Sequence, residues 1–129
     1  MERDDLIEAG DDGLLRFTPV DAGSAIVLTS AGEVDLETGP RLRAALARLL
    51  ERPDAVPIVV DLTDVTFLGS TGIAVLVDAH WQAVQLNIPL SIVVASDGAV
   101  HRTLRTAGVD RHLKLHHDLG AALREIGAG

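Results

Sequence analysis

Three observations predict an α/β fold, a mixed β-sheet of about five strands with about four helices. The first is Pro57-Ile58-Val59-Val60-Asp61, a short apolar run whose lack of alternation marks a strand covered on both faces. The second is that runs of this kind alternate along the chain with segments of helical apolar period. The third is the stretch 58–76, where a strand pattern passes through a short loop into Gly69-Ser70-Thr71-Gly72 and then an apolar helix.

Residues 1–12 are polar and acidic and read as a flexible N-terminus ahead of a single domain over 13–129. Residues 14–19 and 25–30 read as two short strands joined through Asp21-Ala22-Gly23, a composition suited to a hairpin turn. Leu42, Ala45, Leu46, Leu49 and Leu50 then recur at helical spacing, with Pro40 in or near the first turn and Pro53 marking the end. After the strand at 57–61, the helix from Ser70 to about Leu86 is nearly all apolar through Val77 and mixed from Asp78 onward. Its first half carries more apolar surface than one buried face needs, so part is expected in the core and part is available to a partner. Residues 90–95 read as a buried strand. Ser96 or Asp97 can cap the following helix, which has Val100, Leu104 and Ala107 on one stripe and ends at Gly108. Leu113 and Leu115 alternate as an edge strand, which turns His112, Lys114 and His116 toward solvent. Asp118 caps a last helix bearing Leu119, Ala122, Leu123 and Ile126, closed by Gly127. The predicted order is β-β-α-β-α-β-α-β-α.

Composition removes several function classes. A chain of 129 residues that is 47% hydrophobic can bury roughly two thirds of its unfolded surface, enough for one core without a second domain. The formal charge of −8 disfavours unaided contact with phosphate backbones, and one Trp, two Phe and no Tyr give no base-stacking platform. No cysteine is present, which excludes disulfides and thiolate metal sites and fits a reducing compartment. The start MERDDLIEAGDDG has neither the basic nor the apolar region of a secretory signal, and no uninterrupted apolar run reaches the roughly 18 residues of a membrane span. A cytoplasmic location is expected.

Catalytic signatures are equally thin. Gly69-x-x-Gly72 lacks the lysine and spacing of a P-loop, and no G-x-S-x-G elbow surrounds Ser70. His80, His101, His112, His116 and His117 have no carboxylate or thiolate spacing that completes a tetrahedral metal set. Asp61 and Asp64 are explained by a strand-end charge and a turn. The chain is therefore expected to be neither an enzyme nor a holder of a cofactor or metal.

Ser70 stands where a helix begins. The first backbone N–H groups of a helix have no internal partner and lie at the positive end of its dipole, so a phosphate carried there is stabilised. The plain alternative is that Ser70 or Thr71 caps the helix.

The residues around it resemble the STAS-domain family, and within it the single-domain anti-sigma-factor antagonists. Gly32-Glu33-Val34-Asp35 is similar to the family's G-E-hydrophobic-D, and Asp61-Leu62-Thr63-x-Val65-x-Phe67 to its D-L-[ST]-x-hydrophobic-x-F. Ser70-Thr71-Gly72 falls where the family's S-x-G carries the phosphorylated serine, although many members have Asp or Asn where this chain has Gly69. The resemblance runs from about Leu14 to Ile126. It implies an unphosphorylated form that binds an anti-sigma factor, often a serine kinase of the histidine-kinase-like ATPase fold, and so frees a sigma factor. It further implies phosphorylation at Ser70, a serine phosphatase that reverses it, and a contact surface formed by Asp35, Gly69, Ser70, Thr71 and Gly72. STAS-like subunits also act as adaptors in stress-sensing assemblies or beside membrane transporters, and there Ser70 would be a cap only.

Overall fold

A computed structural model of the protein describes the backbone of residues 10–11 and 15–128 and the side chains of 15–126. Its strands are β1 (Gly10–Asp11), β2 (Leu15–Asp21), β3 (Ile26–Val34), β4 (Ile58–Leu68), β5 (Leu90–Val93) and β6 (Leu115–His116). Its helices are α1 (Gly39–Leu50), α2 (Ser70–Leu86), α3 (Ala99–Thr106) and α4 (Leu119–Ala128). All of the predicted strands and helices are present in the predicted order, preceded by β1. The expected flexible N-terminus lies outside the described residues except at Gly10 and Asp11, which pair with Phe17 and Arg16 of β2.

The sheet runs β1-β2-β3-β4-β5-β6, antiparallel from β1 to β3 and parallel from β3 to β6. The β2–β3 turn uses Asp21, whose Oδ1 accepts the Gly23 N–H at 2.8 Å, while Gly23 adopts φ +86°. Beyond β3 every strand-to-strand step crosses over through one helix and moves the same way across the sheet. Right-handed crossovers then place α1, α2 and α3 on one face. Buried residues of those helices, among them Leu42, Leu46, Leu76 and Leu104, join Ile26, Leu28, Ile58, Val60 and Ile92 in the main core. The α4 residue Ala122 meets Val27, Val59 and Val93 on the opposite face, with Leu119, Leu123 and Ile126 packed alongside. Consecutive residues of β4 therefore enter different cores, which is why its sequence shows no alternation.

Several local readings change. β4 is not a short strand followed by a loop but an 11-residue strand reaching Leu68, because β3 also extends and pairs with it as far as Val34↔Leu68. Register shifts between Thr29 and Ala31 and between Gly32 and Glu33 absorb the twist of this long pair. Gly98, not Ser96 or Asp97, precedes α3, no side chain caps it, and Ala107 is exposed instead of lying on the buried stripe. Asp118 does cap α4, its Oδ1 accepting the Ala121 N–H at 2.7 Å. His116 is turned partly inward and faces Glu125 at 3.2 Å, because the edge strand is only two residues long and α4 closes over it. Among the described residues, no helix is long and apolar enough to cross a membrane.

Candidate functional site

The ends of β3 and β4 lie side by side, and each feeds the loop before a helix. The Gly69 N–H donates to Val34 O at 2.8 Å and ties the two loops together. A Cβ on Gly39, the first residue of α1, would stand 2.6 Å from Thr71 Cγ2, so the two helices meet at their N-terminal ends. One place in the fold thus collects Asp35, Gly69, Ser70, Thr71 and Gly72.

They do different things there. Ser70 is the exposed first residue of α2, and the residue at the cap position is Gly69, with no side-chain hydrogen bond to the helix end. The cap reading of Ser70 and Thr71 is therefore set aside. The helical ladder begins with Ile73 N–H donating to Gly69 O at 3.0 Å, which leaves the N–H groups of Ser70, Thr71 and Gly72 without intrahelical partners. No acidic residue lies in this first turn to offset the positive dipole end. Thr71, one position on, turns toward Gly39 and is half-buried.

The two glycines stand in different surroundings. A Cβ on Gly72 would sit 2.5 Å from Leu68 Cδ1 and 2.8 Å from Val34 Cγ1, so its missing side chain lets α2 approach the ends of β3 and β4. Gly69 has φ −85° and ψ −178°, an extended backbone open to any residue, so it does not relax the turn through a left-handed conformation.

Asp35 organises the β3–α1 loop. Its Oδ1 accepts the N–H groups of Glu37 and Thr38, both at 2.9 Å. Thr38 completes the knot and is fully buried: its hydroxyl accepts the Asp35 N–H at 2.9 Å and donates to Glu33 O at 2.8 Å, with Asp35 Oδ1 at 3.1 Å. Thr38 has no place among the sequence-predicted site residues, although Asp35-x-x-Thr38 is the spacing of reciprocal side-chain-to-backbone turns.

The knot holds out its middle residue. Leu36 is 81% exposed, and on the neighbouring strand Phe67 is 50% exposed with its ring beside Gly69. Two large apolar groups thus flank the Ser70 loop on a rim that also carries Glu33 and Glu37. On α2 itself, Ile73 and Val77 pack partly against the core, and the large exposed apolar residues are Trp81, Val84 and Leu86 in the second half. The spare apolar surface of the helix lies mainly beyond its midpoint, opposite to the expectation from its composition, because the first half is pressed between the strand ends and α1. Among the described residues no three His, Asp or Glu side chains converge as a metal site.

Both the sequence and the fold have relatives. Residues 18–122 match the STAS domain. The anti-sigma-F factor antagonist RsfB of Mycobacterium tuberculosis is 31% identical over 116 residues, which span 89% of this chain and 92% of that protein. The crystal structure of an anti-sigma factor antagonist from Mycobacterium paratuberculosis superposes with a TM-score of 0.77 at 24% identity, over 91% of this chain and 97% of that one. The anti-sigma factor antagonist SpoIIAA in its unphosphorylated form gives 0.69 at 15% identity, over 86% and 96%. At these identities the two structures establish a shared fold.

Proposed function

The chain belongs to the STAS domain family, and we propose that it works in the cytoplasm as an anti-sigma-factor antagonist whose unphosphorylated form binds an anti-sigma factor and releases the sigma factor that the partner holds. The observation that carries this reading is Ser70: an exposed hydroxyl at the first position of α2, unused as a cap and flanked by exposed Leu36 and Phe67. A protein partner covering that surface gains from burying the two apolar side chains while the serine enters the centre of the contact.

The partner is a serine kinase of the histidine-kinase-like ATPase fold, and this chain is its substrate, not an enzyme. The Ser70 oxygen bonds to the γ-phosphorus of the kinase's ATP, ADP leaves, and the hydroxyl proton is lost. The modified residue gains about 1.5 to 2 negative charges and three acceptor oxygens. At about 6 Å each unit-charge repulsion from a carboxylate is worth roughly 0.7 to 2.8 kcal/mol for effective dielectrics of 80 to 20, before desolvation. The end of β3 and the β3–α1 loop contribute Glu33, Asp35 and Glu37 and no basic residue, so they do nothing to neutralise the new charge. A serine phosphatase resets the switch.

The test is incubation of wild type, Ser70→Ala and Thr71→Ala with the cognate kinase and ATP, followed by peptide mass spectrometry. Label is expected on Ser70 alone and absent from Ser70→Ala. Full labelling of Ser70→Ala would move the acceptor, and no labelling of any form would favour an adaptor role in which Ser70 is unmodified.

A further inference from the structure

Just past the end of β5, two backbone carbonyls each hold a histidine. The His101 Nδ1 lies 2.7 Å from Ser96 O, and the His117 Nδ1 lies 3.2 Å from Val94 O. A carbonyl only accepts, so in the neutral rings both Nδ1 atoms carry the proton and donate it, and both Nε2 atoms keep their lone pairs. The rings are neighbours, with centroids 5.0 Å apart and planes inclined at 59°. His101 comes from the first turn of α3 and His117 from the segment between β6 and α4. They meet because β6 returns beside β5, which no sequence spacing shows.

Neither Nε2 has a hydrogen-bond partner among the described residues, whereas the adjacent His116 gives its Nε2 to Glu125. Metal-binding histidines are arranged in this way: one ring nitrogen donates to a backbone carbonyl, which fixes the tautomer and the ring direction, and the other is left for the ion. The spacing agrees. An ion held by two imidazole nitrogens at about 2.0 to 2.1 Å lies about 3.2 Å from each ring centre, which puts the centres about 4.5 to 5.5 Å apart for ligand angles of about 90 to 120°. His117 is exposed and His101 half-buried, so an ion reaches both from solvent.

We propose that His101 and His117 form an open site for a divalent transition-metal ion of the zinc, nickel or copper class, bound through both Nε2 atoms. Imidazole nitrogen suits these ions, whereas magnesium and calcium take oxygen ligands. No third His, Asp or Glu converges there among the described residues, so water fills the remaining positions and the ion exchanges. Once bound, it ties the first turn of α3 to the segment before α4 across the end of β5. None of the residues gathered around Ser70 takes part, and the site needs no protein partner to be tested.

The test is calorimetric titration of the full chain with zinc chloride at neutral pH in a non-coordinating buffer, with long-range ¹H–¹⁵N spectra of the imidazole nitrogens recorded alongside. A single zinc ion per chain is expected, with the His101 and His117 Nε2 signals shifting together and saturating at the same ratio. His101→Gln and His117→Gln should each weaken zinc by about tenfold or more, no less than loss of an outer-shell partner costs a metal site. His112→Gln, at an exposed histidine outside the pair, should bind zinc as wild type does, and magnesium chloride should shift neither ring. The wild-type imidazole spectra decide even where a variant folds poorly. Absence of binding, a shift at only one ring of the pair, a shift at His112 or His116 in place of the pair, or folded His101→Gln and His117→Gln variants that bind zinc as wild type does would each overturn the proposal.

Discussion

Ser70, Thr71 and Gly72 are consecutive, yet a substitution at each should act through a different cause. Ser70→Ala removes an exposed hydroxyl that caps nothing, so its unfolding free energy should stay within about 0.5 kcal/mol of wild type. Gly72→Ala pushes a methyl group into Leu68 and Val34, and overpacking of this kind costs about 1 to 3 kcal/mol. Chemical denaturation of both variants measures the contrast, and equal stabilities would contradict the packing role of Gly72. Gly69→Asp runs the other way. The backbone accepts any residue, the nearest obstacle to a Cβ is the half-exposed Phe67 ring at 3.2 Å, and an acidic cap at the positive helix end should add about 0.3 to 1 kcal/mol. Urea midpoints again decide, a lower midpoint for Gly69→Asp counting against an open cap position.

At the scale of elements, the Asp35–Thr38 knot fixes how Leu36 is held out beside α2. Thr38→Val keeps the shape but leaves the Glu33 carbonyl and the Asp35 N–H without their partner, at a cost of about 1 to 3 kcal/mol. Faster hydrogen exchange at the Asp35 amide should accompany the loss, and unchanged protection there would show that the knot is dispensable. These elements were unequally legible in the sequence. The helix spanning 70–86 is plain from composition, and its end at Leu86 is set by Asn87, which takes the left-handed conformation and lets the Ile88 N–H reach back to Ala83 O at 2.9 Å. The upper half of β4 was not legible, because Thr63, Asp64 and Thr66 have turn-like chemistry and form a strand only through pairing with the extended β3. Tertiary pairing overrode local preference there. The position of Ser70 at the mouth of α2 could be read from the local pattern, whereas the juxtaposition of exposed Leu36 and Phe67 depends on the β3–α1 loop lying beside the end of β4, which no local spacing encodes.

At the scale of the whole molecule, most titratable groups among the described residues lie outside and one histidine stands in the core wall. His80 is buried on α2 with its ring edge-on to Trp81, the centroids 4.9 Å apart. Burial holds its pKa below the ordinary histidine value, helped by the positive charges of Lys114 and His112. The unfolded chain therefore binds this proton more readily, so the contribution of His80 to stability is full above the unfolded value of about 6.5 and is lost as pH falls from there toward the depressed folded value. Thermal unfolding between neutral pH and pH of about 5 should show wild type losing more stability than His80→Gln, and parallel curves would contradict the assignment.

The same scale holds the central claim, that one added phosphate at the mouth of α2 turns partner binding off. Its most direct measurement is calorimetric titration of the anti-sigma factor with the unphosphorylated protein and with the same protein stoichiometrically phosphorylated at Ser70. The unphosphorylated form should bind about a hundredfold more tightly, the sum of a few charge repulsions and the desolvation of the phosphate. Equal affinities of the two forms would contradict the switch.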